Sequence, residues 1–178
     1  MKTLILAPFI LFLLISSTIW ADEIDDLIPA IIQVESGGNP NAVSRAGAIG
    51  LMQITHIVWK EYMQKNYHYC SSCMTDKDFK NSVLNPECNV RVGTWYLRRL
   101  KDHYLKKEFE TIEEVKKIQV TEEAKKRCDE HKLALILAAY NGGITRLRKN
   151  NYDINKMPSE TRAYVKKVMA IYKKNLHK

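Results

Sequence analysis

Glu35 is the residue whose type and placement most directly suggest chemistry. Apolar residues recur at Ile24, Leu27, Ile28, Ile31 and Ile32, the spacing of one helical face. That face continues at position 35, so a carboxylate sits on the core-facing side one turn beyond Ile31 and Ile32. Desolvation there raises a carboxyl pKa. A carboxyl that stays protonated near neutral pH is what a general acid needs. The plainer reading is a helix-end glutamate that bends out to solvent. The run Glu35-Ser36-Gly37-Gly38 points instead to an open cleft at the helix end.

Between Ser36 and Lys60 there is no Asp or Glu. Glycosidases usually work with two carboxylates, and no second one lies close to Glu35 in sequence. If one carboxylate acts alone, the substrate must supply the second function. An N-acetylated sugar does so through its 2-acetamido group, and a muramic acid 6-hydroxyl can then attack intramolecularly.

Other chemistry-bearing residues are less directed. His56, His68, His103, His131 and His177 show no ligand spacing with one another, so no metal and no cofactor is expected. No phosphate-binding Gly-rich loop and no nucleophile elbow is present. Cys70, Cys73, Cys88 and Cys128 are even in number. In an exported chain that favours two disulfides, with three pairings open. A redox Cys-x-x-Cys would need a preceding strand that is missing, and a zinc site would usually show a second close pair. Arg146-Leu147-Arg148-Lys149 and Lys166-Lys167 are basic runs. They read first as solvated faces and next as contacts for anionic envelope polymers or headgroups. No nucleic-acid partner is expected.

The elements that must position Glu35 read as helices. The first is expected from about Asp26 to Ser36, with Pro29 in its first turn and Gly37-Gly38 stopping it. A second begins near Thr55. The polar segment Tyr67 to Asn85 reads as a loop. Asn85 as N-cap and Pro86 as first helical residue open a third helix. Lys106 to Lys126 is highly charged and reads as an exposed helical excursion. An apolar helix from Leu133 to Tyr140 ends at Gly142-Gly143, and a last helix follows Pro158-Ser159. The fold class is therefore all-α, with room for a small β-hairpin near the Gly-rich stretch.

Length and composition agree. The 178 residues, 46% of them hydrophobic and 27% charged, suit one globular domain and exclude collagen-like or low-complexity chains. Lys2 precedes an apolar run from Leu4 to Ile15, followed by Ser16-Ser17-Thr18 and Ile19-Trp20-Ala21. This order marks residues 1–21 as a signal peptide cleaved after Ala21. An uncleaved anchor is the alternative, because Ile19 and Trp20 are larger than is usual before a cut. The run of about a dozen residues is short for a membrane span. The leader holds one basic residue, Lys2, and no acidic one, so the net charge of +8 becomes +7 over residues 22–178. A periplasmic or secreted location follows, with a monomer as the default.

Four motifs in order carry a family resemblance. They are Glu35-Ser36-Gly37-Gly38-Asn39-Pro40-Asn41-Ala42-Val43-Ser44, Gly47-Ala48-Ile49-Gly50-Leu51-Met52-Gln53, Ala138-Ala139-Tyr140-Asn141-Gly142-Gly143, and Met157-Pro158-Ser159-Glu160-Thr161-Arg162-Ala163-Tyr164-Val165. Together they resemble the catalytic domain of soluble lytic transglycosylases, which is lysozyme-like and related to goose-type lysozyme. The resemblance spans roughly residues 23–173.

It implies a peptidoglycan-cleaving enzyme in which Glu35 is the single catalytic acid/base. Glu35 would protonate the glycosidic oxygen and then deprotonate the muramoyl 6-hydroxyl, closing a 1,6-anhydro ring. Ser44 would lie near the 2-acetamido group, where residue type alone suggests a turn serine. Met52 and Gln53 would line the cleft, where a core residue and a turn residue are the plainer readings. Tyr140 would approach the catalytic centre, Asn141 would shape the turn and touch substrate, and Glu160 would line the cleft. Tyr164 and Val165 read as packing. Peptidoglycan strands are the implied partner, with cell-envelope or secretion-apparatus proteins as further candidates.

The sequence also departs from the family. It has Tyr-Asn-Gly-Gly where Tyr-Asn-Ala-Gly is usual, which is expected to loosen the turn. After Gln53 it has Ile54-Thr55-His56-Ile57 in place of a Pro-x-Thr segment. The Cys70–Cys88 region and the charged stretch 106–126 look like insertions. Two other functions fit the same residues. One is a hydrolytic muramidase, with Asp76, Asp78 or Glu160 activating water. The other is a non-catalytic glycan-binding or secretion-assembly protein.

Overall fold

The computed structural model describes residues 23–66 and 79–177. Eight α-helices are described: α1 Glu23–Glu35, α2 His56–Asn66, α3 Phe79–Leu84, α4 Pro86–Arg99, α5 Lys106–Lys117, α6 Glu122–Gly142, α7 Ile144–Lys149 and α8 Ser159–Leu176. The expected all-α class holds. In place of the anticipated hairpin, two isolated antiparallel bridges pair Val43 with Ile49 and Ile49 with Ile54.

Helix α6 is the axis of the fold. Leu133 and Leu135 to Ala139 are all buried, so this stretch is apolar all round and must be surrounded. Helices α5, α7 and α8 pack on it, and α1 lies against α8 and α4. α1 buries Ile24, Leu27, Ala30 and Ile31, which matches the apolar face read from spacing. It begins at Glu23, earlier than expected, so Pro29 falls inside the helix and not in its first turn. Pro29 and Asp25 are both exposed, and the Asp25 carbonyl deprived of its helical donor has water at hand. Part of the segment read as a loop is the short helix α3. Asn85 caps α4 as expected, its Oδ1 accepting from Cys88 N at 2.9 Å with Pro86 next.

The charged stretch 106–126 is not a separate excursion. Its first part is α5, which buries Ile112, and its last residues open the long helix α6 after Thr121 caps it. Lys116 pairs with Asp129 at 2.7 Å, and Lys132 pairs with Glu113. Between α4 and α5 the chain passes through a π-turn, Leu100–Tyr104, closed by Leu105 N to Leu100 O at 2.9 Å.

Cys88 is buried at the start of α4. Cys128 is half-buried on α6 and is in no bridge among the described residues. Cys70 and Cys73, the expected signal peptide at 1–21 and the histidine at position 68 lie outside the described residues. No described helix is long and apolar enough to cross a membrane.

Candidate active site

Glu35 is the last residue of α1. The helix stops because Gly37 and Gly38 take left-handed φ values of 63° and 84° directly after it. Ser36 closes the end, its N donating to Ile32 O at 3.1 Å and its Oγ accepting from Gly38 N at 3.2 Å. The Glu35 carboxyl is left half-buried. Burial pushes its pKa from 4.5 up to about 7, opposed by the Tyr164 hydroxyl, which lowers it. The Tyr164 hydroxyl is itself buried on α8 and has no hydrogen-bond partner of ordinary geometry among the described residues. It lies close enough to Glu35 to act on its titration, as a dipole approaching the carboxyl and not as a formed bond.

Tyr140 lies near the end of α6. Its hydroxyl donates to the Met52 carbonyl at 2.8 Å. Burial first, and then the charge of Glu35, hold its pKa well above the usual tyrosine value. Tyr96 of α4 stands 5.8 Å from Tyr140 between ring centroids. Burial and then the Glu61 carboxylate push Tyr96 up to about 12. Glu61 is already engaged, accepting from Tyr104 Oη at 2.7 Å and Arg99 Nε at 3.1 Å.

The loop after α1 forms the floor. Ser44 Oγ accepts from Ala48 N at 3.0 Å, and Ser44 N donates to Ala48 O at 2.9 Å. That bond leaves the Ser44 hydroxyl proton unused. Gln53 adopts φ 48°, an uncommon left-handed conformation. Its Nε2 donates to Gly50 O at 3.0 Å and to Ala42 O at 3.2 Å, tying both turns together. Met52 is wholly buried against Gly93, so its side chain is core and its peptide group faces Tyr140. Gly50 has φ 80°, and a Cβ there would stand 2.1 Å from Asn89 Nδ2.

Of the residues singled out in the sequence, the structure brings Tyr140 within electrostatic reach of Glu35 and bonds it to the Met52 peptide. Ser44 and Gln53 build the adjacent loop. Asn141 and Glu160 are exposed, at the end of α6 and the start of α8. The extra glycine does not loosen the turn. A Cβ at Gly142 would meet Met157 Cε at 2.5 Å and Thr161 Oγ1 at 2.8 Å, so its absence lets α6 approach the start of α8.

Two residues escaped the sequence reading. Tyr164 read as packing, because no spacing rule aims a helix-borne hydroxyl at a distant carboxyl. Asn89 carried a usable signal. It is a polar residue on the buried face of α4, four before Gly93, as Glu35 is on α1. No group of His, Cys, Asp and Glu among the described residues is arranged to hold a metal ion.

A family model described as the transglycosylase SLT domain matches residues 20–162. The chain is similar to endo-type membrane-bound lytic murein transglycosylase A of Cronobacter sakazakii, 40% identical over 80 residues that cover 45% of this chain and 37% of that protein. It is 39% identical over 75 residues to the protein of the same name from Citrobacter koseri, covering 42% and 34%. The matched segment thus spans little more than a third of either relative. Among solved structures, an inactive mutant of the lytic transglycosylase Slt from Pseudomonas aeruginosa superposes with TM-score 0.57 at 24% identity. That match covers 85% of this chain and 22% of the other, and it speaks for the fold alone.

Proposed function

Because the chain belongs to the transglycosylase SLT domain family, we propose that it cleaves the MurNAc–GlcNAc β-1,4 bond of peptidoglycan without water, leaving 1,6-anhydromuramoyl ends. The observation that carries this reading is the half-buried Glu35 carboxyl, held near pKa 7 by burial and approached by the Tyr164 hydroxyl. Among the described residues, no second carboxylate acts on it.

Protonated Glu35 gives its proton to the glycosidic oxygen, and the GlcNAc side leaves with that proton on its O4. The resulting carboxylate takes the proton of the muramoyl C6 hydroxyl as O6 bonds to C1. Glu35 ends protonated again, and no water is consumed. The Tyr164 hydroxyl stabilises the intermediate carboxylate, because its approach favours the charged form. The free proton of Ser44 Oγ suits the 2-acetamido carbonyl. Gln53 shapes the floor, and exposed Asn141 and Glu160 extend the cleft wall. A hydrolytic muramidase would need a carboxylate across the cleft. Glu160 is exposed on the first turn of α8, while Asp76 and Asp78 lie outside the described residues.

Residues 1–21 serve as an export signal in this reading, and residues 22–178 act as one catalytic domain in the periplasm or outside the cell. Envelope or secretion-apparatus proteins are the expected partners, and the enzyme works as a monomer.

Mass spectrometry of soluble fragments from purified peptidoglycan tests the proposal, with wild type and Glu35→Gln run side by side. Anhydromuropeptides from wild type only are expected. Products heavier by one water would move the enzyme to the muramidases, and no fragments from either would favour a binding role.

A further inference from the structure

The net positive charge of this chain is confined to one end. Residues 144–178 hold ten Lys and Arg against Asp153 and Glu160, so they carry the whole net charge of +8. Residues 1–143 hold 18 basic and 18 acidic residues and are neutral. A charge gathered in this way makes one surface attractive to anions.

Helix α8 lays half of those ten cations in one stripe. Its buried face carries Tyr164, Val165, Val168, Met169 and Tyr172, and it packs on α1 and α6. Arg162, Lys166, Lys167, Lys173 and Lys174 are all exposed on the other side, with Ala163 and Ala170 between them. Lys166-Lys167 and Lys173-Lys174 repeat two turns apart, about 10 Å along the axis. After Glu160 the helix holds no acidic residue. Lys173 pairs with Glu130 at 2.7 Å. Arg162 donates to the Asn155 carbonyl at 3.2 Å, and no carboxylate among the described residues pairs with it or with Lys166, Lys167 or Lys174.

Like charges one turn apart on a helix repel, so Arg162 and Lys166 add nothing to the fold by standing together. An anionic partner gains from both, and the shape and residue types of the stripe say which. It is the convex side of one helix, where two alanines let a flat surface come close. It presents no aromatic ring on which a base could stack, since Tyr164 and Tyr172 are turned inward. Past Arg162 every cation is Lys, a point charge on a flexible stem, whereas site-specific phosphate recognition favours Arg. Such a cluster on one helix face suits the headgroups of an anionic bilayer, whose potential fades within about 8 Å at physiological salt.

We propose that the outward face of α8 is a docking surface for a bilayer carrying anionic lipid headgroups. The contact is electrostatic and reversible, because the apolar side of α8 is buried in the core and does not enter the lipid. This surface is independent of the reaction proposed above, and its test needs no activity.

The test is co-sedimentation of the mature chain with vesicles of phosphatidylcholine alone, or of phosphatidylcholine mixed with phosphatidylglycerol, at low and at high salt. Wild type is expected to bind the mixed vesicles at low salt, to leave them at high salt and to ignore phosphatidylcholine alone. Lys166→Gln, Lys167→Gln and Lys174→Gln combined should weaken binding about 100-fold, near fivefold for each lysine. A matched triple on α2 and α5, Lys60→Gln, Lys107→Gln and Lys117→Gln, has the same net charge and should bind like wild type. All six positions are exposed, and glutamine is close to lysine in helix propensity, so both triples should fold, which melting curves check.

A wild type that ignores the mixed vesicles at low salt overturns the proposal. An α8 triple that binds like wild type does so too. Equal losses in the two triples would make net charge the cause and not this stripe. Retention by purified peptidoglycan or duplex DNA in place of vesicles, lost in the α8 triple, would give the stripe to that polymer and overturn membrane docking.

Discussion

The Tyr140 hydroxyl donates to the carbonyl of Met52 at 2.8 Å, across 88 positions of sequence. This bond ties the end of α6 to the loop that follows α1. It joins two of the four motifs. The proposed role of the Glu35 carboxyl and the contacts among these distant segments can each be tested.

Glu35→Gln should reduce muropeptide release by about 10²–10⁴-fold, the usual worth of a general acid. Far-UV circular dichroism should be unchanged, because glutamine keeps the volume. A collapse of the fold would mean that Glu35 is a structural residue, and would sink the acid assignment.

The raised Glu35 pKa sets a pH dependence for stability as well as for activity. Below pH 4.5 the carboxyl is protonated in both the folded and unfolded chain. As pH rises from 4.5 to about 7, the unfolded chain releases the proton while the folded one retains it, and folding loses stability. The loss is at most about 3 kcal/mol before solvent screening of this half-buried group is allowed for. Glu35→Gln should therefore melt higher than wild type at pH 8 and no higher at pH 4. Thermal melts at the two pH values check this, and an equal difference at both contradicts it.

Activity should decline above about pH 7, where Glu35 loses the proton it must give. Tyr164→Phe removes the group that lowers this pKa, so the decline should begin at higher pH while the maximum rate falls about tenfold or more. Stability should not suffer, since the lost hydroxyl has no hydrogen-bond partner in the fold. A rate profile of Tyr164→Phe that matches wild type would return Tyr164 to a packing role.

Gly50→Ala should cost more than about 2 kcal/mol, because it combines a left-handed φ with a collision against the Asn89 amide and the Val83 carbonyl. Gly38→Ala has the same kind of φ but nothing within 4 Å, and should cost only about 1 kcal/mol. Denaturant midpoints of the two variants measure the difference. Equal values would mean that Gly50 is needed for its backbone angle alone.

Much of this protein was legible in one dimension. The apolar face of α1, the Asn85-Pro86 start of α4 and the glycines after Glu35 are local signals, each decided within about one helical turn. They determined the all-α class and put a carboxylate on a core-facing stripe. The motifs containing Tyr140 and Ser44 could be named for the same reason. Tertiary structure alone decided what those residues touch. Met52 became core through Gly93, Gln53 spent its amide on Ala42 and Gly50, and Tyr164 came to face Glu35 from the last helix. The charged stretch 106–126 misled because charge density hides one buried face carrying Ile112. Periodicity reports which side of a helix is buried, but not which distant side chain is buried against it. The Glu35 pKa depends on that second fact, because desolvation is set by every neighbour that packs around the carboxyl and not by those adjacent in sequence.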